Sequence, residues 1–519
     1  MTFRITYSVL DADLTELHAR FDAALATVRA RLGAEHPSWI AGKAHASGDL
    51  LDSRNPSRPS EVVGRFHRTA PGEVGRVVLA AKEAQRAWGA TAWEERVRIL
   101  RRAADLISER RWELAAGMTL EVGKNRLEAL GDVEESADLL RYYAGQVESA
   151  RGFHLPMARL SPREDTRSVL RPYGVFVVIS PFNFPLALAA GMSAGALLGG
   201  NAVILKPSED APGCAEGLFQ ALRDAGLPGG VLQVVHGEGE GLGSALVRHP
   251  AVDGVAFTGS TRVGMELFRV LTEQHVRPAL LELGGKNAAI VCQDADLEAA
   301  VEGCHRSAFG MSGQKCSALS RIYVHEDVRQ DFVERLARKA RDTVVGDPAL
   351  ASVFMGPVIN AASVRRFEQA VAEARRDGTV HAGGDRPALD AALAHGHFVA
   401  PTVVELPHAH RLMREELFLP FVGVAAFRSL DEAIALTNDS AYGLTAGIFS
   451  AAPDTVEAFM ARAEAGVLYA NRRTGATTGA WPGVQPFCGW KGSGSTGKGG
   501  CGPYYVSQFM REQSQTRMG

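Results

Sequence analysis

The chain has 519 residues, 46% of them hydrophobic, and a formal net charge of -3, enough apolar content for two or three domains with cores of their own. The balanced charge excludes the basic field that nucleic acid or an anionic membrane would need, so the expected partners are small molecules and copies of the chain itself. Six cysteines (Cys214, Cys292, Cys304, Cys316, Cys488 and Cys501) without CxxC or His/Cys ligand spacing argue against a disulfide framework and against any metal site, and place the chain in a reducing cytoplasm.

Residues 1–10 lack the basic, apolar and small-residue succession of a secretory signal. Residues 11–33 read as an amphipathic helix, with Asp13 and Glu16 resembling a capping box, Leu14, Leu17, Phe21, Leu25, Val28 and Leu32 on one face, and Gly33 as the stop. Helices are also predicted over 72–88 and 93–118, the second with a solvated face of Arg and Glu. Residues 151–166, polar and rich in Pro and Arg, interrupt the regular pattern. From Tyr173 onward short β-rich runs (174–180, 202–206, 231–235, 254–257, 287–292) alternate with helical stretches. That alternation predicts a parallel sheet covered by helices, an open α/β nucleotide-binding domain. The stretch 175–205 has no charged residue and exceeds the roughly 20 residues that span a bilayer, but Pro181, Asn183, Pro185 and its glycines divide it into strand, turn and helix. A second α/β unit follows from 294 to about 470, and the tail beyond Pro486 is rich in Gly and Ser.

Two stretches carry chemistry. Leu281-Glu-Leu-Gly-Gly-Lys-Asn287 offers the carboxylate of Glu282 at the end of an apolar run, and Gly313-Gln-Lys-Cys-Ser-Ala-Leu-Ser-Arg321 offers the thiol of Cys316 in a small polar turn. A thiolate that forms a covalent adduct and a base that activates water are the main parts of an acyl-transfer machine. Alone, Cys316 could be a buried small hydrophobe and Glu282 a surface carboxylate or helix cap. The glycines and polar residues around Cys316 favour a partly exposed thiol, its thiolate supported by Lys315 and by loop amides. A phosphate-binding turn between strand and helix is expected of a dinucleotide domain; Gly259-Ser260-Thr261 is the candidate. The run 237–243, with two carboxylates, reads as a surface turn.

Together with Ser180-Pro-Phe-Asn-Phe-Pro185 and Phe257-Thr-Gly-Ser-Thr-Arg-Val-Gly264, these motifs resemble the aldehyde dehydrogenase superfamily in letters, order and spacing. The resemblance implies an α/β aldehyde dehydrogenase-like fold: N-terminal helices and a Rossmann-type NAD-binding domain (1–152 and 174–283), an α/β catalytic domain (284–485), and an oligomerisation arm and tail (153–173 and 486–519) that make a homo-oligomer, a dimer or higher. It implies Cys316 as nucleophile, Glu282 as the base that hydrolyses the thioester, and Asn183 with the Cys316 N–H as oxyanion donors, although Asn183 also suits a turn between prolines. Implied cofactor contacts are Ser180, Pro181, Phe182, Lys206, Ser208, Glu209, Phe257, Gly259, Ser260, Thr261, Val263, Leu283, Glu416 and Phe418. A carboxylate at Glu209 suits ribose hydroxyls and repels a 2′-phosphate, so NAD is expected over NADP. Leu419 stands where the family's usual glycine would be.

The stretch Thr478-Gly-Ala-Trp-Pro-Gly-Val-Gln-Pro-Phe487, followed by Gly502-Pro-Tyr-Tyr505, is similar to the anchor loop of the 1-pyrroline-5-carboxylate dehydrogenases, which oxidise glutamate γ-semialdehyde to glutamate. That resemblance implies that Ser317, Gly479 and Ala480 hold the substrate's α-carboxylate, in keeping with an amide nest, while Phe487 packs on its aliphatic part. A loop that merely caps the domain is the plainer reading. Residues 474–477, Trp481-Pro482 and Cys488 depart from the pattern, so succinate semialdehyde and other aldehydes stay open. A coenzyme-A-acylating enzyme, which would not need Glu282, and a catalytically silent binding protein of this fold are the remaining alternatives.

Overall fold

A computed structural model describes residues 14–273 and 275–519. The N-terminal helix runs Thr15–Arg29 and buries Leu17, Phe21 and Leu25; the N-terminal partner of the expected capping box, Asp13, lies outside the described residues. The helix expected over 93–118 is two helices, Trp93–Glu109 and Arg111–Val122, broken at Arg110 (φ -93°, ψ 9°). Apolar periodicity continues through the break, so the sequence pattern carries no sign of it. The bend lets the first piece pack on the long helix Arg126–Ser149 and the second on the N-terminal helix as well.

The β-rich runs form two seven-stranded sheets. In the first, the order is Ala279–Glu282, Gly254–Thr258, Val175–Ile179, Ala202–Lys206 and Leu232–Val234, all parallel, extended by the antiparallel hairpin Ser38–Ile40 and Lys43–His45. Its central strands are buried along nearly their whole length, as expected where helices cover both faces. One covering helix, Ala187–Leu198, contains no charged residue and is buried at every position except the partly exposed Leu188. The uncharged stretch 175–205 is thus strand, helix and start of a strand, and no helix among the described residues is long and apolar enough to cross a membrane.

In the second sheet the order is Thr379–Ala382, Thr402–Glu405, Phe421–Phe427, Leu319–His325, Asn287–Val291, Thr445–Phe449 and Val467–Ala470, parallel except at the first pair. Asn287–Val291, grouped by sequence with the first series of runs, therefore belongs to the second unit, which starts earlier than 294. Alternation of strand and helix does not indicate where one sheet ends and the next begins. A third, antiparallel sheet joins His154–Pro156, Glu164–Pro172 and the C-terminal Met510–Met518.

Between helices and first sheet lies a fully buried ion pair, Lys124 Nζ to Asp132 Oδ2 at 2.6 Å. Asp132 Oδ1 also accepts the Ala187 N–H (2.7 Å), and the Lys124 ammonium sits 3.8 Å from the Phe184 ring centroid. These contacts pin the loop between Val175–Ile179 and Ala187–Leu198. Lys124→Met, which strands a buried carboxylate, is expected to cost about 3–5 kcal/mol, read as a lower denaturant midpoint, and Lys124→Met with Asp132→Asn should recover part of that loss.

Candidate active site

The turn that carries Cys316 is built under constraint. After the helix Leu297–Phe309, capped by the Asp296 carboxylate, Met311 (φ 50°), Ser312 (φ 56°) and Gly313 (φ 67°) lie successively in the left-handed region, a costly conformation that needs outside support. Glu128 supplies it, accepting the Met311 N–H (3.1 Å) and the Lys315 ammonium (2.8 Å). Ser312 Oγ donates to the Gly356 carbonyl at 2.8 Å. A Cβ at Gly313 would collide with the Leu419 carbonyl. Asn287 then fixes the far side: its amide donates to the carbonyls of Cys316 (2.7 Å) and Ala318 (2.9 Å) and accepts the Thr445 N–H (3.0 Å). Neither Asn287 nor Glu128 was singled out from sequence; Asn287 ends a quoted motif, whereas nothing local marks Glu128.

The Lys315 ammonium pairs with Glu128, and the thiolate is not favoured overall as expected, because the Cys316 thiol is raised. Burial, with the carboxylates of Glu416 and Glu282, pushes the Cys316 thiol up to about 12, against a downward pull from the N–H groups of Ser317 and Cys316. Burial likewise pushes Glu282 up to about 8, and its Oε2 is buried with no hydrogen-bond partner among the described residues. Glu282 is the last residue of Ala279–Glu282, the position at which an open parallel sheet presents side chains to a crevice. Asn183, also buried, donates its amide to the Gln314 carbonyl at 2.9 Å, so it is tied to the turn that carries Cys316.

Cys316 lies on the walls of two spaces. The first is a cleft of about 1200 Å³ along the C-terminal ends of the first sheet's strands. Ser180, Pro181, Phe182, Asn183, Lys206, Ser208, Glu209, Phe257, Gly259, Ser260, Val263, Leu283, Glu416 and Phe418 all line it. Thr261 does not; its Oγ1 turns to the Gly492 carbonyl at 3.4 Å. Ser260 caps the helix Thr261–Thr272, Lys206 Nζ pairs with Glu209 at 3.0 Å, and Glu416 accepts the Gly285 N–H at 2.9 Å while burial raises it to about 7. Phe418 takes the left-handed conformation (φ 59°) and meets Phe182 edge-on at 5.9 Å. Leu419 is 4% exposed in the core of the second sheet, which explains how a leucine is accommodated there. The run 237–243 is not merely a surface turn: Glu238, Gly239, Glu240 and Gly243 also line the cleft. Its acidic letters obscured that, since Glu238 is held by Arg68 at 3.0 Å.

The second space is a cavity of about 390 Å³. Its walls bring Cys316 and Glu282 together with Ser317, Gly479, Ala480 and Phe487, and with Phe184, Tyr143 and Tyr505. The departures 474–477 anchor this loop: Thr477 Oγ1 donates to the Ser317 carbonyl at 2.8 Å, the Thr477 N–H donates to Ser307 Oγ at 3.2 Å, and the Ala476 N–H donates to the Gly303 carbonyl at 3.0 Å. Trp481 is buried with its Nε1–H on Asp138 at 2.9 Å. Cys488 points its sulfur at the Gly466 carbonyl, 3.6 Å away.

The chain belongs to the aldehyde dehydrogenase family, whose model matches residues 42–514. It is 36% identical over 504 residues to the 1-pyrroline-5-carboxylate dehydrogenase of Geobacillus thermodenitrificans, covering 96% of each chain. Its fold is similar to that of the Thermus 1-pyrroline-5-carboxylate dehydrogenase with bound NAD (TM-score 0.93, 35% identity, 100% of each chain). It also matches proline utilization A of Bdellovibrio bacteriovorus (TM-score 0.92, 35% identity), in which 96% of this chain spans about half, 52%, of the longer protein.

The raised thiol has a direct consequence for reactivity. With the Cys316 thiol at about 12, the thiolate fraction of the enzyme without cofactor should climb about tenfold per pH unit from about pH 7 to about pH 9. The rate of iodoacetamide alkylation, corrected with Cys316→Ala, is expected to follow it; a plateau below about pH 8 would contradict that environment.

Proposed function

We propose that this chain is an NAD-dependent dehydrogenase that oxidises L-glutamate γ-semialdehyde, the open form of 1-pyrroline-5-carboxylate, to L-glutamate through a covalent adduct on Cys316. The observation that carries this reading is the position of Cys316, on both the long cleft and the cavity lined by Ser317, Gly479 and Ala480. Relatives at 35–36% identity over nearly the whole chain bear the name 1-pyrroline-5-carboxylate dehydrogenase, and the Thermus enzyme binds NAD.

NAD fits the residues present. The Ser260-capped helix N-terminus faces the cleft and suits a pyrophosphate. A side chain at Gly259 would collide with the Phe257 ring, and Ser180 Oγ is buried on the cleft without a partner among the described residues. Lys206 and Glu209 would hold the adenosine ribose, and Glu416 and Phe418 would lie toward the nicotinamide end. When bound, NAD supplies the ring that accepts a hydride from the adduct.

The remaining steps belong to the chain. As Cys316 Sγ bonds to the aldehyde carbon, its thiol proton passes to the Glu282 carboxylate and on to solvent, the carbonyl π bond opens, and the oxyanion so formed takes the second N–H of the Asn183 amide and the Cys316 backbone N–H. Tying Asn183 to Gln314 keeps donor and nucleophile in register without reorganisation. After oxidation the carbon is a thioester on Cys316. Glu282 then removes a proton from water as the new C–O bond forms, the C–S bond breaks, and the thiol is regenerated. A buried carboxyl at about 8 binds that proton readily yet is ionised above that pH, so the hydrolytic step gains rate as pH rises through about 8.

The arm 153–173 and tail 486–519 are assigned to homo-oligomer contacts, supported by Leu155 and Leu160, 56% and 99% exposed on this segment. Six unpaired cysteines suit a reducing cytoplasm.

Purified protein given NAD and glutamate semialdehyde is expected to produce NADH absorbance and glutamate. Cys316→Ala should lose this activity while keeping NAD affinity, and Glu282→Gln should give one turnover of NADH and then stall; full steady-state rates in either variant would remove the assigned roles. Pentanal, which lacks the α-carboxylate, should lose about 10-fold to 100-fold in kcat/KM for each charge-assisted hydrogen bond forgone.

Glu209→Gln removes the charge that opposes a 2′-phosphate and is expected to raise the NADP-to-NAD ratio of kcat/KM. An unchanged ratio would mean that Glu209 does not face the ribose.

A further inference from the structure

The two peptide units that follow Thr478 are gripped from one side by a single residue. Arg472, half-buried just after the strand Val467–Ala470, donates from Nη1 to the Thr478 carbonyl and from Nη2 to the Gly479 carbonyl, both at 3.0 Å. Its Nε donates to Thr474 Oγ1 at 3.2 Å, and its guanidinium lies 4.8 Å from the Tyr469 ring centroid. The fork is therefore held on its own side by a hydroxyl and an aromatic face.

The consequence follows from peptide geometry. In a trans peptide the C=O and N–H of one unit point in opposite directions, and the chain has no cis bonds among the described residues. The unit whose carbonyl is Thr478's carries the N–H of Gly479; the unit whose carbonyl is Gly479's carries the N–H of Ala480. Gripping these two carbonyls turns the N–H groups of Gly479 and Ala480 away from the guanidinium, and both residues line the cavity beside Ser317. Gly479 meets the turn with φ 102°, and a Cβ there would stand 2.6 Å from Nη2. A cation on the carbonyl end of each unit also polarises the N–H end toward an anion.

We infer that Arg472 is the positioning residue for recognition of the substrate's carboxylate: it never touches substrate, but it fixes the two amides that do. The inference rests on the reading that this loop binds the α-carboxylate.

The test compares kcat/KM for glutamate semialdehyde and for pentanal in wild type, Arg472→Gln and Arg472→Lys. Glutamine cannot span both carbonyls, so the semialdehyde-to-pentanal ratio should fall about 10-fold to 100-fold, mainly through KM, while pentanal changes by less than about 3-fold. Lysine keeps the charge without the fork and should fall between. Calorimetric binding of L-glutamate should weaken in the same order. Equal losses on both aldehydes, or an unchanged ratio, overturn the inference, and if Arg472→Gln does not fold, the ratio in Arg472→Lys decides. A wild type with no preference for the semialdehyde over pentanal would instead defeat the underlying reading of the loop, whereas a preference that survives in both variants defeats only the role of Arg472.

Discussion

The arrangement of the whole site depends on a short crossing between two sheets. Glu282 ends an edge strand of the first sheet and Asn287 begins a central strand of the second, so the chain has only residues 283–286 in which to pass from one to the other. The passage is crowded. A side chain at Gly284 would strike the Glu416 carboxylate, and one at Gly285 would strike the Cys316 carbonyl. Two glycines are therefore a steric requirement, and the crossing delivers three groups to one place: the carboxyl of Glu282, the Gly285 N–H that holds Glu416, and the Asn287 amide that holds the backbone of Cys316.

The same compaction sets the electrostatics. Cys316, Glu282 and Glu416 are all raised by loss of water, and Lys315, next to Cys316 in sequence, pairs with Glu128, which supports the strained turn. In the proposed mechanism a thiol that is mostly protonated is a restrained nucleophile, and its activation falls to the carboxyl that can accept a proton, together with the loop amides that already favour the charged form. A water-poor site makes each oriented N–H worth more at the moment charge develops.

The region around the cavity shows how departures from a family pattern are absorbed. The repeated residues 474–477 thread between the helix Leu297–Phe309 and the second sheet, and their hydrogen bonds join the loop to the carbonyl of Ser317. Trp481 occupies a buried site against the long helix, with Asp138 satisfying its N–H, as a buried indole requires. The variant letters thus alter the loop's supports, while Gly479 and Ala480 keep their place on the cavity wall.

Local chemistry was legible in the sequence: β-branched runs became buried strands, Gly259-Ser260-Thr261 became the entry to a helix, and the stretches holding Glu282 and Cys316 became neighbours on one cavity. The break at Arg110, the assignment of Asn287–Val291 to the second sheet and the cleft-lining role of residues 237–243 were not legible. Each depends on which element packs against which, and periodicity reports only the faces within one element. The commitment of Lys315 to Glu128 belongs with these, since the two residues are 187 positions apart. The sequence by itself determined which groups could do the chemistry, because reactivity resides in side-chain type and in the short backbone turns that present it. Only the tertiary structure decided which partner each charge and each amide would face, because hydrogen bonds and desolvation are set by contacts between segments distant in the chain.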